Sequence, residues 1–117
     1  MYKLIIAGSR HFNDYELLRK IVLPYVNNID CIISGTASGA DTLGERFAQE
    51  YNIPIKKFPA DWSKYGKSAG PRRNKQMAEY ANACIVFWDG QSRGTLSMIN
   101  YARQYNLSLK IINYSKT

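Results

Sequence analysis

The stretch Tyr2-Lys3-Leu4-Ile5-Ile6-Ala7-Gly8-Ser9-Arg10 decides the fold. Its first six residues form an apolar run that Gly8 ends, which reads as a strand feeding a glycine-containing loop. Asn13-Asp14-Tyr15-Glu16 follows and resembles a capping box, with Asn13 as cap and Glu16 three residues on. Leu17, Leu18, Ile21, Val22, Tyr25 and Val26 then recur at helical spacing. A strand, a polar loop and an amphipathic helix make the first unit of an alternating chain.

The alternation continues outward from that unit. Asp30–Ser34 reads as a second buried strand, followed by a helix starting at Ser38 or Gly39 with Leu43, Phe47, Ala48 and Tyr51 on its inner face. Ile53–Phe58 reads as a third strand, polar-interrupted and suited to an edge. A long connection, Pro59–Gly70, leads to a helix from Pro71 to about Tyr80, because proline fits a first helical turn. Ala83–Trp88 is the fourth strand, Thr95–Tyr105 the fourth helix and Leu109–Asn113 the last strand. Strands alternating with helices predict an α/β fold: a Rossmann-like three-layer sandwich around a five-stranded parallel sheet. Right-handed crossovers leave 3-2-1-4-5 as the simplest strand order, with a switch point between strands 1 and 4.

At 117 residues the chain is expected to be one domain, spanning 1–117, with no internal repeat or linker. Hydrophobic residues make up 45% and charged residues 21%, enough apolar content for a core. No apolar run approaches the ~20 residues that cross a bilayer. The amino terminus is too soon interrupted by Gly8-Ser9-Arg10 to act as a signal peptide, so a cytoplasmic protein is expected. Cys31 and Cys84 each open an apolar strand. With one strand between theirs they lie about 10 Å apart, beyond the ~7 Å a disulfide spans, so free thiols are expected.

Charge is distributed unevenly. The formal net charge is +7, and Lys56, Lys57, Lys64, Lys67, Arg72, Arg73 and Lys75 crowd one segment opposed only by Asp61. Such a patch attracts the phosphates of a small molecule or of a nucleic acid, unless it is a solvated face kept for solubility.

The loops at the strands' carboxyl ends carry the candidate chemistry. They are Gly8-Ser9-Arg10, then Ser34-Gly35-Thr36-Ala37-Ser38-Gly39-Ala40-Asp41, then the basic loop ending Gly70-Pro71-Arg72-Arg73-Asn74, then Asp89-Gly90-Gln91-Ser92-Arg93-Gly94-Thr95. Each mixes glycine with hydroxyl or cationic residues and runs into a helix start. Glycine admits an anion close to the backbone, and helix-terminal amides with arginine donate to it. Taken singly, each loop could be only a turn or a cap; four on one edge point to a shared anion site. Trp62 in the long loop could stack on a base or pack that loop down. Neither a Walker sequence nor the G-x-G-x-x-G fingerprint is present. His11 is the only histidine, and no Cys/His cluster has metal-ligand spacing, so neither a metal nor another cofactor is expected.

The motifs Gly8-Ser9-Arg10, Ser34-Gly35-x-x-x-Gly39-Ala40-Asp41, Ala60-Asp61-Trp62, Ala69-Gly70-Pro71-x-Arg73-Asn74 and Phe87-Trp88-Asp89-Gly90-x-Ser92-x-Gly94-Thr95 resemble the YspA-like branch of the SLOG superfamily. That superfamily joins the DNA-processing Smf/DprA proteins to the LOG enzymes. The resemblance implies a Rossmann-like fold and a nucleotide-derived ligand, because SLOG domains include sensors of ADP-ribose-type signals in bacterial anti-phage systems. It also implies a homo-oligomer, a dimer or higher, since LOG-type relatives pair through helices beside the site. LOG enzymes cleave the N-glycosidic bond of nucleoside monophosphates with an arginine before the third helix and a glutamate after a Gly-Gly-x-Gly-Thr loop. Arg73 and Gly94-Thr95 match those positions, but Leu96-Ser97-Met98 follows where the glutamate belongs. Asp89 and Asp61 are the alternative carboxylates, although neither occupies the matching place. The expected ligand contacts are Gly8, Ser9, Arg10, Gly35, Thr36, Gly39, Asp41, Trp62, Arg73, Asn74, Asp89, Ser92, Gly94 and Thr95. Retention of a nucleotide-derived small molecule, as a sensor or a sequestering protein, is favoured over LOG-like hydrolysis and over DprA-like nucleic-acid binding.

Overall fold

The computed structural model describes residues 1–114. Its strands are β1 (Lys3–Gly8), β2 (Cys31–Ser34), β3 (Ile55–Lys57), β4 (Ala83–Trp88) and β5 (Ser108–Asn113), all parallel, in the order β3-β2-β1-β4-β5. The helices are α1 (Tyr15–Val22), α2 (Ala40–Glu50), α3 (Trp62–Tyr65), α4 (Ala69–Tyr80) and α5 (Arg93–Gln104).

Alternation along β1 builds the two sides of the core. Leu4 and Ile6 join Leu18, Val22, Phe47 and Ala48 beneath α1 and α2. Ile5 and Ala7 face the other way, onto Met77, Ala78, Met98 and Ile99 of α4 and α5. Each such Leu, Ile, Val, Phe or Met side chain, fully buried, contributes roughly 1.5–3 kcal/mol, so the central strand carries much of the fold's stability. Phe12, in the loop after β1, is 2% exposed and stacks on Phe87 with ring centroids 4.7 Å apart. Gly44 lets α2 lie close on β1: a Cβ there would stand 2.8 Å from Ile6 Cγ2. Cys31 and Cys84 are buried free thiols.

Several expected boundaries move. Asp14, not Asn13, caps α1, its side chain accepting from the Leu17 amide at 3.0 Å. The helix stops at Val22 and tightens into a 3-10 segment, Leu23–Asn28, because Pro24 lacks the N–H an α-helix needs. β3 is shorter than expected. The Pro59–Gly70 connection is not structureless: Asp61 caps the one-turn α3, and a 3-10 turn, Gly66–Ser68, runs into α4. That turn starts α4 at Ala69, two residues before Pro71. Among the described residues, no helix is long and apolar enough to cross a membrane.

Candidate functional site

A cleft of about 690 Å³ opens at the carboxyl edge of the sheet, across the β1/β4 switch point. Ala7 and Gly8 of β1 lie in it beside Arg10, and Gly35–Ser38 bring in the loop after β2. The first turns of α2, α4 and α5 contribute Asp41, then Gly70, Pro71, Arg73 and Asn74, then Arg93, Gly94 and Thr95. Those helices point their amino-terminal ends, which carry partial positive charge, toward one space. Neither α2 nor α4 has a side-chain cap. The cations Arg10, Lys67, Arg73 and Arg93 line the cleft against one acid, Asp41. That balance suits an anion.

Arg73 is held in place before any ligand arrives. Its Nε donates to Asn74 Oδ1 at 2.9 Å and its Nη1 to the Gly35 carbonyl, across from α4 to the β2–α2 loop. Its Nη2 turns toward Gly70, 3.9 Å from where a Cβ on that glycine would stand. Burial lowers the Arg73 pKa, and nearby Arg10 adds to the effect while Asp41 opposes it. Asn74, 5% exposed, in turn donates to the Gly94 carbonyl at 3.2 Å and to Ser97 Oγ at 3.3 Å. The arginine, the start of α5 and the β2–α2 loop are thus one connected frame.

Asp41 lies at the floor of the cleft, 5% exposed. Burial pushes its pKa up to about 6, against the pull of the Ala37 amide and the Arg73 guanidinium. Its Oδ2 accepts from that amide at 3.1 Å and so holds the β2–α2 loop, in which Thr36 has a φ of 63°. Trp62 forms part of the wall and is 54% exposed, with its ring edge 3.3 Å from where a Cβ on Gly70 would stand. A side chain at Gly70 would push that indole away.

Of the expected contacts, Gly8, Arg10, Gly35, Thr36, Asp41, Trp62, Arg73, Asn74, Ser92, Gly94 and Thr95 line this cleft. Ser9, Gly39 and Asp89 do not line it and are engaged within the surrounding loops. Ser9 is buried, its amide donating to the Phe87 carbonyl at 2.9 Å and its hydroxyl accepting from the Asp89 amide at 3.2 Å. Gly39, at φ 78°, packs so tightly on the Ser9 and Arg10 carbonyls that a Cβ would overlap both. Asp89 accepts from the Ser92 and Gln91 amides, each at 2.8 Å, and those bonds lower its pKa. Asp61 serves as the α3 cap, so neither proposed stand-in for the missing glutamate lines the cleft. The Ser92 hydroxyl is engaged as well, accepting from the Thr95 amide as the α5 cap. His11 is exposed and lies outside the cleft. Lys67 and Arg93 are cleft residues that sequence reasoning passed over. Lys67 was visible as part of the basic segment, and Arg93 sits inside the Ser92–Thr95 motif. No group of side chains suited to a metal ion occurs among the described residues.

A parallel-sheet Rossmann-type domain with a cationic cleft at its switch point is the class that this geometry defines. The chain belongs to the YspA, cpYpsA-related SLOG family (YAcAr), whose sequence model matches residues 2–65, more than half of its length. No curated protein matches it. Among solved structures, DNA processing protein A (DprA) from Streptococcus pneumoniae superimposes with a TM-score of 0.80 at 19% identity, over 95% of this chain and 50% of that one. DprA from Helicobacter pylori superimposes with a TM-score of 0.64 at 20% identity, over 94% of this chain and 64% of that one. The latter structure is described as revealing a single-stranded DNA binding mode. Both likenesses establish the shared fold, and this chain spans only half to two thirds of either protein.

Proposed function

We propose that the cleft binds a phosphate-bearing, nucleotide-derived small molecule and holds it without turnover, to sense or sequester it. The observation that carries this reading is Arg73, pre-oriented by Gly35 and Asn74 among the starts of α2, α4 and α5. A guanidinium fixed in advance loses little freedom on binding phosphate, and a buried one forms a stronger charge-assisted bond. The exposed Trp62 offers a face for a base on the adjoining wall. A volume of about 690 Å³ lies within the ~300–1,000 Å³ usual for small-molecule sites. Family membership supports a nucleotide-type ligand at this coarse level.

Binding without hydrolysis follows from the acids. Glycoside cleavage needs a carboxylate beside the reacting carbon. The cleft offers only Asp41 among the described residues, and that side chain is committed to the Ala37 amide. The deciding experiment is to denature the purified protein and identify the released small molecules by mass spectrometry. A stoichiometric nucleotide-derived phosphate is expected. A protein that releases none, and whose melting temperature no such compound raises, does not do this.

One observation favours a second reading, a single-stranded nucleic acid. Outside the cleft, Tyr65 is 38% exposed, with the Arg72 guanidinium 4.3 Å and the Lys64 ammonium 5.1 Å from its ring centroid. Exposed aromatic rings among cations are how such strands are bound without sequence preference, and the DprA from H. pylori is described as a single-stranded DNA binder. Affinity that climbs with oligonucleotide length and falls steeply with salt would favour the strand over the small molecule.

A further inference from the structure

Arg73 and Asp41 reach the cleft floor from different helices and meet over Gly35. A Cβ on Gly35 would stand 2.7 Å from Arg73 Nη1 and 2.8 Å from Asp41 Oδ2. One glycine-sized space therefore separates the backbone from both a cation and a carboxylate. Neither group is free to swing aside: the Gly35 carbonyl and Asn74 hold the guanidinium, and the Ala37 amide holds the carboxylate. An anion that approaches Arg73 meets Asp41 at the same time.

That arrangement limits the charge the corner accepts. Arg73 and ionised Asp41 cancel at the Gly35 corner, where Arg10, close enough to lower the Arg73 pKa, supplies one further positive charge; the cleft's other cations, Lys67 and Arg93, are not among the groups that shift either side chain. A singly charged phosphate matches that corner. The second charge of a terminal monoester would be set against a carboxylate in a water-poor corner, where repulsion is far stronger than in bulk solvent. We infer that Asp41 determines specificity in this cleft, selecting diester-type phosphoryl groups that carry one charge each, as in a cyclic nucleotide or either half of a pyrophosphate bridge, over terminal monoesters that carry two on one phosphorus. This rests on the nucleotide reading above and narrows its ligand class.

The same geometry makes the selection depend on pH. Burial raises the Asp41 pKa to about 6, so its charge is present at neutral pH and disappears in mild acid. The charged and titratable groups that act on it or feel it are Arg73 from α4, Glu45 from its own helix and the Cys84 thiol from β4, while Arg10 from the loop after β1, Lys67 and Arg93 share the cleft. Cys84 is pushed up by burial and by Asp41, and stays neutral. Glu45 is the other carboxylate, and it accepts from Ser34 Oγ at 2.6 Å.

Adenosine 5′-monophosphate and its methyl ester carry the same base and sugar but differ by one charge near pH 7.5, because the second phosphate pKa is about 6. Calorimetry on both probes gives a ratio of dissociation constants for the wild type and for Asp41→Asn, which keeps an acceptor for the Ala37 amide. The wild type should prefer the methyl ester, and Asp41→Asn should shift the ratio toward the monophosphate by about tenfold and by no less than roughly threefold. As a second arm, wild-type affinity for the methyl ester, whose charge is constant, should rise several-fold from about pH 7.5 to 5. The rise should vanish in Asp41→Asn and persist in Glu45→Gln. A ratio that moves less than about threefold, or a pH dependence that survives in Asp41→Asn, overturns the assignment while the cleft reading stands. If neither probe binds the wild type, the nucleotide reading fails and the selection falls with it.

Discussion

Arg73 on α4 donates through Nη1 to the carbonyl of Gly35, 38 residues earlier in the chain, and this bond joins two walls of the cleft. It turns a long, flexible side chain into a fixed part of the frame. It also gives Arg73 a structural role, since this bond ties the β2–α2 loop to α4.

Arg73→Ala should therefore have two effects of different size. Ligand affinity should fall by about 2–4 kcal/mol, the loss of a charge-assisted bond in a partly desolvated site. Stability should fall by about 1–2 kcal/mol, the usual net worth of the two hydrogen bonds lost. Calorimetry with ADP-ribose reads the first and a urea titration the second. An affinity change below about threefold removes Arg73 from the site.

The glycines divide into two groups that substitution should separate. A Cβ on Gly94 meets nothing within 4 Å, so Gly94→Val should fold while its side chain enters the cleft and abolishes binding. Gly39 has a φ of 78° and would drive a Cβ into the Ser9 and Arg10 carbonyls. Gly39→Ala should cost roughly 2 kcal/mol or more of stability through strain and overlap. Thermal melts and ligand titrations of both variants give the comparison. A folded Gly94→Val protein that binds normally would show that this loop is only a turn.

The outcome at Gly39 also indicates what sequence alone could reveal. Strand order was legible because each β-run is short, apolar and followed by helical periodicity, and parallel crossovers leave little choice. The cleft's position followed from that order. Roles within the loops were not legible, because Gly, Ser and Asp serve equally as turn formers, caps and ligand donors. Ser9, Gly39 and Asp89 read from the sequence as anion contacts, and the structure places them outside the cleft lining, with Ser9 and Asp89 bonded to Phe87 and Ser92 and Gly39 packed on the Arg10 carbonyl. α3 escaped notice because a single turn started by Asp61 has no periodicity to detect. The Asp41–Arg73 juxtaposition is tertiary, and no spacing along the chain encodes it.

Asp41 should make stability fall as pH rises through mild acid. Its folded pKa, about 6, exceeds its unfolded value of 3.8, so between the two the native state binds the extra proton. Its contribution is fully present below about pH 4 and is lost as pH climbs through 6. Ionisation in the folded protein costs on the order of 2–3 kcal/mol at about 1.4 kcal/mol per pKa unit. Asp41→Asn, which mimics the protonated form, should stabilise the protein near pH 8 by up to that amount and change little near pH 4. Urea titrations at the two pH values decide it. Equal effects at both would mean that Asp41 is not titrating in this window.

The last expectation concerns the fate of the ligand. The residues suited to holding phosphate, Arg73, Gly94 and Thr95, line the cleft, yet Leu96-Ser97-Met98 occupies the chain where LOG-type enzymes carry a glutamate. Asp61 and Asp89 are poor stand-ins, since neither lines the cleft and each accepts backbone amides, Asp61 as the α3 cap and Asp89 in the turn before α5. Removing a catalytic carboxylate usually costs several powers of ten in rate, while phosphate contacts still stabilise the ground state. Bound ligand should therefore persist unchanged. Protein is incubated separately with nucleoside monophosphates, ADP-ribose and cyclic ADP-ribose-type compounds, filtered, heat-denatured, and the released material chromatographed. Depletion from the filtrate followed by intact recovery is expected for at least one compound. Free base or ribose phosphate accumulating over many turnovers would show an enzyme instead. Asp41, the one carboxylate lining the cleft among the described residues, would then be the first to replace.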